Sequence, residues 1–378
     1  MKNYIKMIIV MALFMGAFPL SSINTSFNNN IKQTPEKIEK TFNTKSGLKV
    51  DIKLKIGAEI EVVGWDKEVV SVVVETSGRD ADRITYDINE SSEGVNVYAD
   101  ISKKHKNSKY NSKVFVKVPV KYDVEFNTMG GEVTLKNISG ELSGKTMGGE
   151  LKFSDLGGNV NCQTMGGEIA LVKCNLNGKV KTMGGDINLE NVEGNLNIET
   201  MGGEIHQKNV TLKEGKSGDN SLTIKTMGGD IEVDKVLTES NISTMGGNIN
   251  INAAKKNLKV STMGGNIEVG EMDGEIAAKT MGGNISVNLK SCPENGDVEI
   301  TTMAGNIDLI VPADFGMKIQ INVRGINTED VSDYVESDFK LNYDFDDDDE
   351  LTATGVVGNG SRTVTLSTNY GKVSIKKK

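Results

Sequence analysis

Acidic side chains recur at a fixed spacing through the middle of this chain, and they are its strongest candidates for chemistry. A short motif, Thr-Met-Gly-Gly, repeats through this part of the chain, and its threonine is counted as position 0. The acids occupy position +4 of six successive copies: Glu132, Glu150, Glu168, Asp186, Glu204 and Asp230. In the next four copies this position holds an amide: Asn248, Asn266, Asn284 and Asn306. Paired carboxylates can act as general acid and base in glycoside hydrolysis, and grouped carboxylates can hold a divalent cation.

So regular an acidic column is more typical of a solvated structural edge than of a catalytic centre. Stacked carboxylates at sheet spacing repel one another unless lysines or bound cations neutralise them, or their pKa values rise. The position before the threonine offers three lysines across the turn: Lys145, Lys181 and Lys225. We therefore expect a column neutralised by lysine, and we keep the six acids as candidate ligands of a loosely held divalent cation as the alternative.

Other arrangements that carry chemistry are missing from the sequence. The two histidines, His105 and His206, have no signature that links them to a serine or cysteine nucleophile. No zinc spacing, phosphate-binding loop or dinucleotide fingerprint occurs. Cys162 and Cys174 fall at inward repeat positions that are aliphatic in other copies, so we expect them in the core. The sequence predicts no catalytic residue and no cofactor.

An acidic run near the end of the chain has some features of a calcium loop. Its aspartates have the alternate spacing with which such a loop begins: Asp344, Asp346 and Asp348. The sixth place of the loop holds Asp349 where Gly is needed, and the twelfth holds Gly355 in place of Glu. We therefore expect no ordered calcium site in this run.

The motif that sets the spacing is Thr-Met-Gly-Gly. Nine copies begin at Thr128, Thr146, Thr164, Thr182, Thr200, Thr226, Thr244, Thr262 and Thr280, and a degenerate tenth copy is Thr302-Met303-Ala304-Gly305. Seven of the nine intervals are 18 residues long, and the other two are 26 and 22. A fixed period of this size predicts a solenoid.

Two short strands are predicted in each copy. Apolar residues stand four and two places before the threonine, as Val124 and Phe126 do, and again at positions +5 and +7, as Ile187 and Leu189 do. Alternation with polar residues is the pattern of a strand that buries one face. The sequence therefore predicts an all-β chain, a single-chain parallel β-solenoid (β-helix) of about ten 18-residue coils with β-rich caps at both ends.

The glycine pair is expected to form the corner between the two strands, where a positive φ costs glycine least. Because Ala304 replaces the first glycine in the last copy, the second is the one predicted to be required. These turn glycines are Gly131, Gly149, Gly167, Gly185, Gly203, Gly229, Gly247, Gly265, Gly283 and Gly305. Strand alternation points the threonines inward. For the methionines we favour packing into the corner, and we keep an exposed stripe for an apolar partner as the alternative.

The flanks of the repeat complete a division into five parts. Lys2 and Lys6 precede an uncharged apolar run that is shorter than the roughly 20 residues needed to span a bilayer, so the first part is predicted to be an export signal. The parts are a signal peptide (1–22), a polar linker (23–36), a β-rich N-terminal cap (37–127), the solenoid (128–311) and a β-rich C-terminal cap (312–378). We expect the mature chain to be exported and to have no transmembrane span.

The bulk composition narrows the classes of partner. The chain of 378 residues has a formal net charge of −9, which argues against nucleic acid and anionic lipid. Three cysteines (Cys162, Cys174 and Cys292) are too few and too sparse for a disulfide framework. Abundant glycine, 42 residues, and few aromatic side chains suit a thin solenoid.

Three segments together with the serial coils resemble a known family. The segments are residues 60–66 (IEVVGWD), 114–119 (VFVKVP) and 305–312 (GNIDLIVP). Over roughly residues 40–376 the chain resembles a bacterial family of β-strand-repeat proteins, often labelled adhesin-like and of unknown function. The resemblance implies an extracytoplasmic β-solenoid with a role in adhesion or envelope stress and brings no catalytic residues. Many members carry Ser-Gly where this chain has Met-Gly-Gly, so the methionine column departs from the family pattern.

We therefore expect a non-enzymatic exported protein, periplasmic, secreted or at the cell surface. Its predicted role is adhesin-like binding or scaffolding of an unidentified envelope or surface partner, either protein or glycan. Two alternatives remain open at this point. One is a carbohydrate-active β-helix enzyme, and the other is a structural module that responds to cations.

Overall fold

A computed structural model describes residues 36–102, 108–211, 221–328, 330–346 and 349–378. All of these residues belong to one compact unit, Pro35–Lys378. The predicted signal peptide, nearly all of the predicted linker and His105 lie outside the described residues.

Strands make up almost all of the regular structure in the described residues. The first eight are β1 (Glu36–Asn43), β2 (Lys49–Leu54), β3 (Glu59–Trp65), β4 (Val69–Ser77), β5 (Ile84–Ser91), β6 (Gly94–Ile101), β7 (Asn111–Pro119) and β8 (Asp123–Thr128). The next ten are β9 (Val133–Lys136), β10 (Ser139–Thr146), β11 (Leu151–Ser154), β12 (Gly157–Thr164), β13 (Ile169–Val172), β14 (Asn175–Lys181), β15 (Ile187–Glu193), β16 (Leu196–Glu199), β17 (Ile205–Thr211) and β18 (Ser221–Lys225).

The remaining strands lie in the second half of the repeat and in the C-terminal part of the chain. These strands are β19 (Ile231–Val236), β20 (Glu239–Ser243), β21 (Ile249–Lys255), β22 (Leu258–Ser261), β23 (Ile267–Asp273), β24 (Ile276–Lys279), β25 (Ile285–Ser291), β26 (Asp297–Ala304), β27 (Ile307–Val311), β28 (Met317–Arg324), β29 (Val335–Ser337), β30 (Asn342–Asp346), β31 (Glu350–Val357), β32 (Arg362–Tyr370) and β33 (Val373–Lys377). Two short 3₁₀ turns lie at Ala81–Arg83 and Val331–Asp333. In the described part of the chain no helix is long and apolar enough to cross a membrane.

Strands of successive repeats pair in parallel and form two long ladders. One runs from β6 through β2 and the even-numbered strands β8 to β26, then through β32 to β28. The other runs from β7 through β3 and the odd-numbered strands β9 to β27, then through β33 to β29. Within an unbroken period the paired residues are 18 apart, as Leu142 with Val160 and Leu151 with Ile169 show. The predicted all-β chain of parallel strands is confirmed. We call one level of the two ladders a rung.

The interior is a set of aliphatic columns. Val133 is fully buried, and so are Ile187 and Ile205 at the same position of later rungs. Because neighbouring rungs lie ~4.8 Å apart, like side chains pack directly on one another and exclude water from between the ladders. Cys162 and Cys174 are buried in this core with free thiols, as predicted.

The motif threonines form a buried hydrogen-bonded column. From Thr164 to Thr302, each hydroxyl donates to the carbonyl oxygen of the second motif glycine on the preceding rung, at 2.8–3.0 Å. Most also accept from the N–H of the second glycine in their own motif, as Thr244 does from Gly247 at 3.3 Å. The prediction that threonine points inward is confirmed, since every motif threonine is at most 5% exposed.

The second motif glycine is required because stacked corners approach very closely. A Cβ placed on any of these ten glycines would lie 1.6–2.2 Å from a backbone carbonyl oxygen on the preceding rung. The expected positive φ was the wrong reason, because within this set only Gly131 has a left-handed φ, +96°. Close approach of two backbones therefore sets the residue type at this position.

The described ladders continue past the end of the recognisable repeat. After Val311 the chain leaves the stack, and β32 and β33 return to it later. Thr368 lies on Thr302 in register, and its hydroxyl donates to the Gly305 carbonyl at 3.0 Å. A Cβ on Gly371 would meet that same carbonyl at 2.0 Å. The sequence missed this rung because its motif, Thr-Asn-Tyr-Gly, keeps only the threonine and the last glycine.

Antiparallel strands extend the described ladders at both ends of the stack. Strand β5 pairs with β6, and β4 and β1 extend the other ladder beyond β7. At the C-terminal end β31 and then β30 pair beyond β28. A parallel stack leaves unpaired strand edges at its ends, and in the described residues these antiparallel strands cover three of the four, the exception being β29.

The close approach predicts opposite effects for two adjacent glycines. Gly247→Ala places its Cβ 2.0 Å from the Gly229 carbonyl oxygen, and we expect a loss of roughly 1–3 kcal/mol in the free energy of unfolding. Gly246→Ala meets nothing nearer than 3.6 Å, so its stability is expected within about 0.5 kcal/mol of the wild type or slightly higher. Urea unfolding followed by circular dichroism measures both. Equal destabilisation by the two alanines would contradict the assignment.

Removing one buried hydroxyl is expected to cost more than its size suggests. Thr244→Val keeps the shape but leaves the Gly229 carbonyl and the Gly247 N–H without their partner, a loss of about 1–3 kcal/mol in the free energy of unfolding. Thr223→Val, on the outward face of the neighbouring strand, is the matched control and is expected to change stability by less than about 0.5 kcal/mol. If the two valine variants unfold at the same urea concentration, the threonine column has no role in stability.

Candidate functional site

The acidic column lies at the corner of the repeat, directly after the glycine pair. Its shorter side chains, aspartate and asparagine, accept hydrogen bonds from backbone N–H groups of the next rung. Asp186 accepts from the N–H of Glu204 at 2.9 Å, and Asp230 accepts from the N–H of Asn248 at 2.7 Å. The asparagines continue the same contact at 2.8–2.9 Å up to Lys372, whose N–H donates to Asn306. The change from acid to amide therefore keeps the hydrogen bond while removing the charge.

The longer glutamates of this column contact side chains at position +6. Lys152 bridges Glu132 and Glu150, with distances from its Nζ of 2.5 and 2.9 Å. The hydrogen bond from Lys152 lowers the pKa of the Glu132 carboxyl and raises that of the lysine. The sequence placed the neutralising lysines before the threonine, which is wrong for Lys181, because it pairs with Glu199 at 3.5 Å. Strand parity explains the difference, since positions +4 and +6 share one outer face.

The candidate metal ligands do not come together in a site with the usual donors. Among the residues that the structure describes, no group of three or more His, Cys, Asp or Glu side chains could hold a metal ion. In the acidic run, Asp344 lies within β30, whereas Asp348 lies outside the described residues. Divalent-cation binding by the six acids stays a prediction.

A shallow groove crosses the outer face of strands β13 to β23. Its volume is about 780 Å³, and its polar lining includes Asn188, Glu190, His206, Lys208, Glu232 and Asp234. His206 lies between two carboxylates, with Nδ1 3.0 Å from Glu232 and Nε2 3.2 Å from Glu204. The groove can therefore offer hydrogen-bonding groups of both charges to a polar ligand.

The methionines of the motif form an exposed apolar column on the corner, which we call the methionine rib. Its members are Met129, Met147, Met165, Met183, Met201, Met227, Met245, Met263, Met281 and Met303. Their side chains are 39–52% exposed, so the favoured interpretation of corner packing is wrong and the exposed stripe is what the structure shows. The corner preserves the parity of the preceding strand, in which threonine points inward and the next residue outward.

The rib is continuous across both irregular intervals. The N–H of Gly228 donates to the Met201 carbonyl at 3.1 Å across the 26-residue interval. The N–H of Ala304 donates to the Met281 carbonyl at 3.0 Å across the 22-residue interval. The motif corners therefore stay in register across both intervals, and all ten methionines lie on neighbouring rungs.

The first motif glycines form a second exposed column beside the rib, which we call the glycine track. Its members are Gly130, Gly148, Gly166, Gly184, Gly202, Gly228, Gly246, Gly264 and Gly282, with Ala304 in the last copy. A Cβ at any of these glycines would meet no atom nearer than 3.6 Å, and from Gly148 onward φ lies outside the left-handed region. The fold thus explains the threonine and the second glycine of the motif, but neither the methionine nor the first glycine. In the sequence, Ala304 indicated this difference, because it replaces the first glycine of the motif while the second glycine is kept.

Buried sulfur contributes nothing to this surface. Cys162, Cys174 and Cys292 are at most 3% exposed. Burial raises the pKa of the Cys174 and Cys292 thiols to about 11, and that of Cys162 higher still. These cysteines are therefore neutral core residues without the reactivity of a thiolate.

Comparison with solved structures finds distant likenesses. A putative cell adhesion protein from Clostridium sporogenes is 12% identical, with 91% of this chain and 100% of that chain covered and a TM-score of 0.22. A putative lipid binding protein from Parabacteroides distasonis is 18% identical, with 70% and 98% covered and a TM-score of 0.35. A putative adhesin from Bacteroides fragilis is 14% identical, with 91% and 97% covered and a TM-score of 0.23. Likenesses at these TM-scores carry no argument about function.

Comparison by sequence identifies the family. No match is found among curated proteins. The model of the family described as Toastrack DUF4097 matches residues 38–236 and 219–376, which together span most of the chain. This bears out the resemblance to a bacterial β-strand-repeat family, and the chain belongs to the Toastrack DUF4097 family.

Proposed function

We propose that this chain is an exported, non-enzymatic protein that binds or scaffolds a partner at the cell envelope, with the methionine rib as its contact surface. The proposal includes a β-solenoid of about ten 18-residue coils between β-rich caps. The apolar run that follows Lys2 and Lys6 supports export. The observation that carries the proposal is the exposed rib beside an exposed glycine track, two uniform columns that the fold does not require.

The uniformity of the rib contrasts with the variation around it. Interior columns exchange valine, isoleucine and leucine freely, and the position before the threonine ranges from Lys145 to Glu199 to Ser243. The rib holds methionine ten times in ten. An exposed apolar side chain adds little to folding, so a contact made outside the chain is the simpler reason to keep it.

The dimensions of the rib suit an extended protein partner. Nine intervals of ~4.8 Å give an apolar strip of about 43 Å. Methionine is unbranched and adapts to uneven surfaces, and the glycine track lets a partner backbone approach the corner closely. A glycan would need aromatic or hydrogen-bonding side chains, which the rib itself does not supply.

Charges on both sides give the strip a direction. Acids at position +4 flank the first six rungs and asparagines flank the last four. On the other side lie Lys145, Lys181, Lys225 and Lys279. The partner that fits is therefore an envelope protein with an apolar strip, basic along one side over the first part of the rib.

The test is binding of the full-length chain to envelopes isolated from the producing cells. Replacing Met201, Met227 and Met245 by Gln removes three neighbouring apolar contacts, each worth roughly 1 kcal/mol when a half-exposed side chain becomes buried. We expect envelope affinity to fall about a hundredfold, which is the sum of these losses.

The matched control changes the groove and leaves the rib intact. Glu232→Gln with Asp234→Asn alters two exposed side chains on the same rungs and is expected to keep wild-type envelope binding. If the groove variant loses binding and the rib variant keeps it, the contact surface has been assigned to the wrong face.

The groove favours one alternative, a carbohydrate-active protein. The observation that supports this alternative is the position of His206, which lies in a polar groove of about 780 Å³ and contacts both Glu204 and Glu232. Turnover on a panel of acidic glycans tests it. Robust activity that is lost in Glu168→Gln or Glu232→Gln would establish the enzyme and overturn the proposed function, and no turnover above the blank is expected.

A further inference from the structure

We infer that the methionine rib is a binding site for soft monovalent metal ions, Cu(I) or Ag(I), held between the thioethers of neighbouring rungs. This goes beyond the proposed function and does not depend on it. Thioether sulfur is a soft, neutral ligand that selects Cu(I) over Mg²⁺ and Ca²⁺. Nothing else in the described residues offers accessible sulfur, because the three cysteines are buried.

The spacing of the rib fits shared coordination. The Met263 N–H donates to the Met245 carbonyl at 3.3 Å, so adjacent rib residues lie directly on one another. Rungs ~4.8 Å apart give thioethers a similar spacing. Metal–sulfur bonds of about 2.3 Å, the length found in zinc–thiolate sites, allow two sulfurs on one ion to be up to about 4.6 Å apart. A flexible methionine side chain closes the small difference without moving the backbone.

The distribution of methionine separates sulfur from simple apolarity. Every exposed methionine in the described part of the chain lies on the rib, and the other two, Met272 and Met317, are 0% exposed. Leucine would supply the same apolar surface with a better defined shape, and the interior columns use it repeatedly. Leucine never occurs on the rib, and the property that distinguishes the two side chains is the sulfur atom.

The surroundings favour a cation and leave room for it. The nine glycines of the track present no side chain beside the thioethers, and a Cβ placed at Gly148 or Gly166 would find open space. Glu150 and Glu168 stand three residues after their rib methionines and are exposed. Their negative charge raises the local concentration of cations without supplying the soft ligands.

The direct test is an Ag(I) titration of the full-length chain labelled with carbon-13 at the methionine methyl groups. Ag(I) is used because it does not change oxidation state in air. We expect the ten rib methyl signals to shift and those of buried Met272 and Met317 to stay, which gives an internal control in one sample. Unshifted rib signals at an Ag(I) excess overturn the inference, and this measurement needs no variant to fold.

A variant then assigns the ligand. Replacing Met201, Met227, Met245 and Met263 by Leu keeps four apolar side chains but removes four neighbouring thioethers. With two thioethers per ion, we expect about two fewer Ag(I) bound per chain by mass spectrometry under native conditions. Met272→Leu, the control, is expected to bind as much Ag(I) as the wild type. Equal binding by the rib variant and the control contradicts the site.

The same variants separate this inference from the proposed function. Leucine at these rungs preserves the apolar strip, so envelope binding is expected to survive while Ag(I) binding falls. The glutamine variant of Met201, Met227 and Met245 lowers both. If the leucine variant loses envelope binding but binds as much Ag(I) as the wild type, the thioethers serve the protein partner and the metal site is overturned.

Discussion

Successive corners of the repeat approach so closely that the second motif glycine has space only for hydrogen on its Cα. A Cβ at Gly149 would lie 1.6 Å from the Gly131 carbonyl oxygen, and the other copies are nearly as close. From Thr164 onward, the threonine hydroxyl of the next rung donates to the carbonyl of the second motif glycine, as Thr164 does to Gly149, so the tight contact there leaves the carbonyl with a hydrogen-bond partner. Two of the four motif residues therefore serve the backbone, and the stacking of all other columns depends on them.

The same constraint turns the other two motif residues outward. With threonine held inside by its hydrogen bonds, the next residue must face solvent, and the first glycine lies beyond it on the open side of the corner. A position inside the fold is kept by packing, whereas a position outside is kept by what it meets there. The methionine rib and the glycine track are thus separated from the structural part of the motif by the geometry of a single turn.

Much of this fold follows from periodicity, because a strand has only two faces. The period gave the parallel register, and alternation placed threonine and the aliphatic columns inside. Alternation also points the methionines outward, but a corner can break parity, so from the sequence we favour packing into the corner, which the exposed methionines show to be wrong. The lysine partner of Glu132 was missed because contacts between rungs run to position +6, which no spacing along one copy reveals. Positive φ and close approach both demand glycine, and only coordinates distinguish them.

The two longer intervals have a consequence for how this surface could change in size. Across both intervals the corner keeps its register, as the hydrogen bonds from Gly228 to Met201 and from Ala304 to Met281 show. Gain or loss of a whole copy therefore adds or removes one thioether and one glycine at the same spacing and leaves every other level where it was. The number of thioethers on this surface is therefore set by the number of repeats, and it changes in single steps without redesigning the fold.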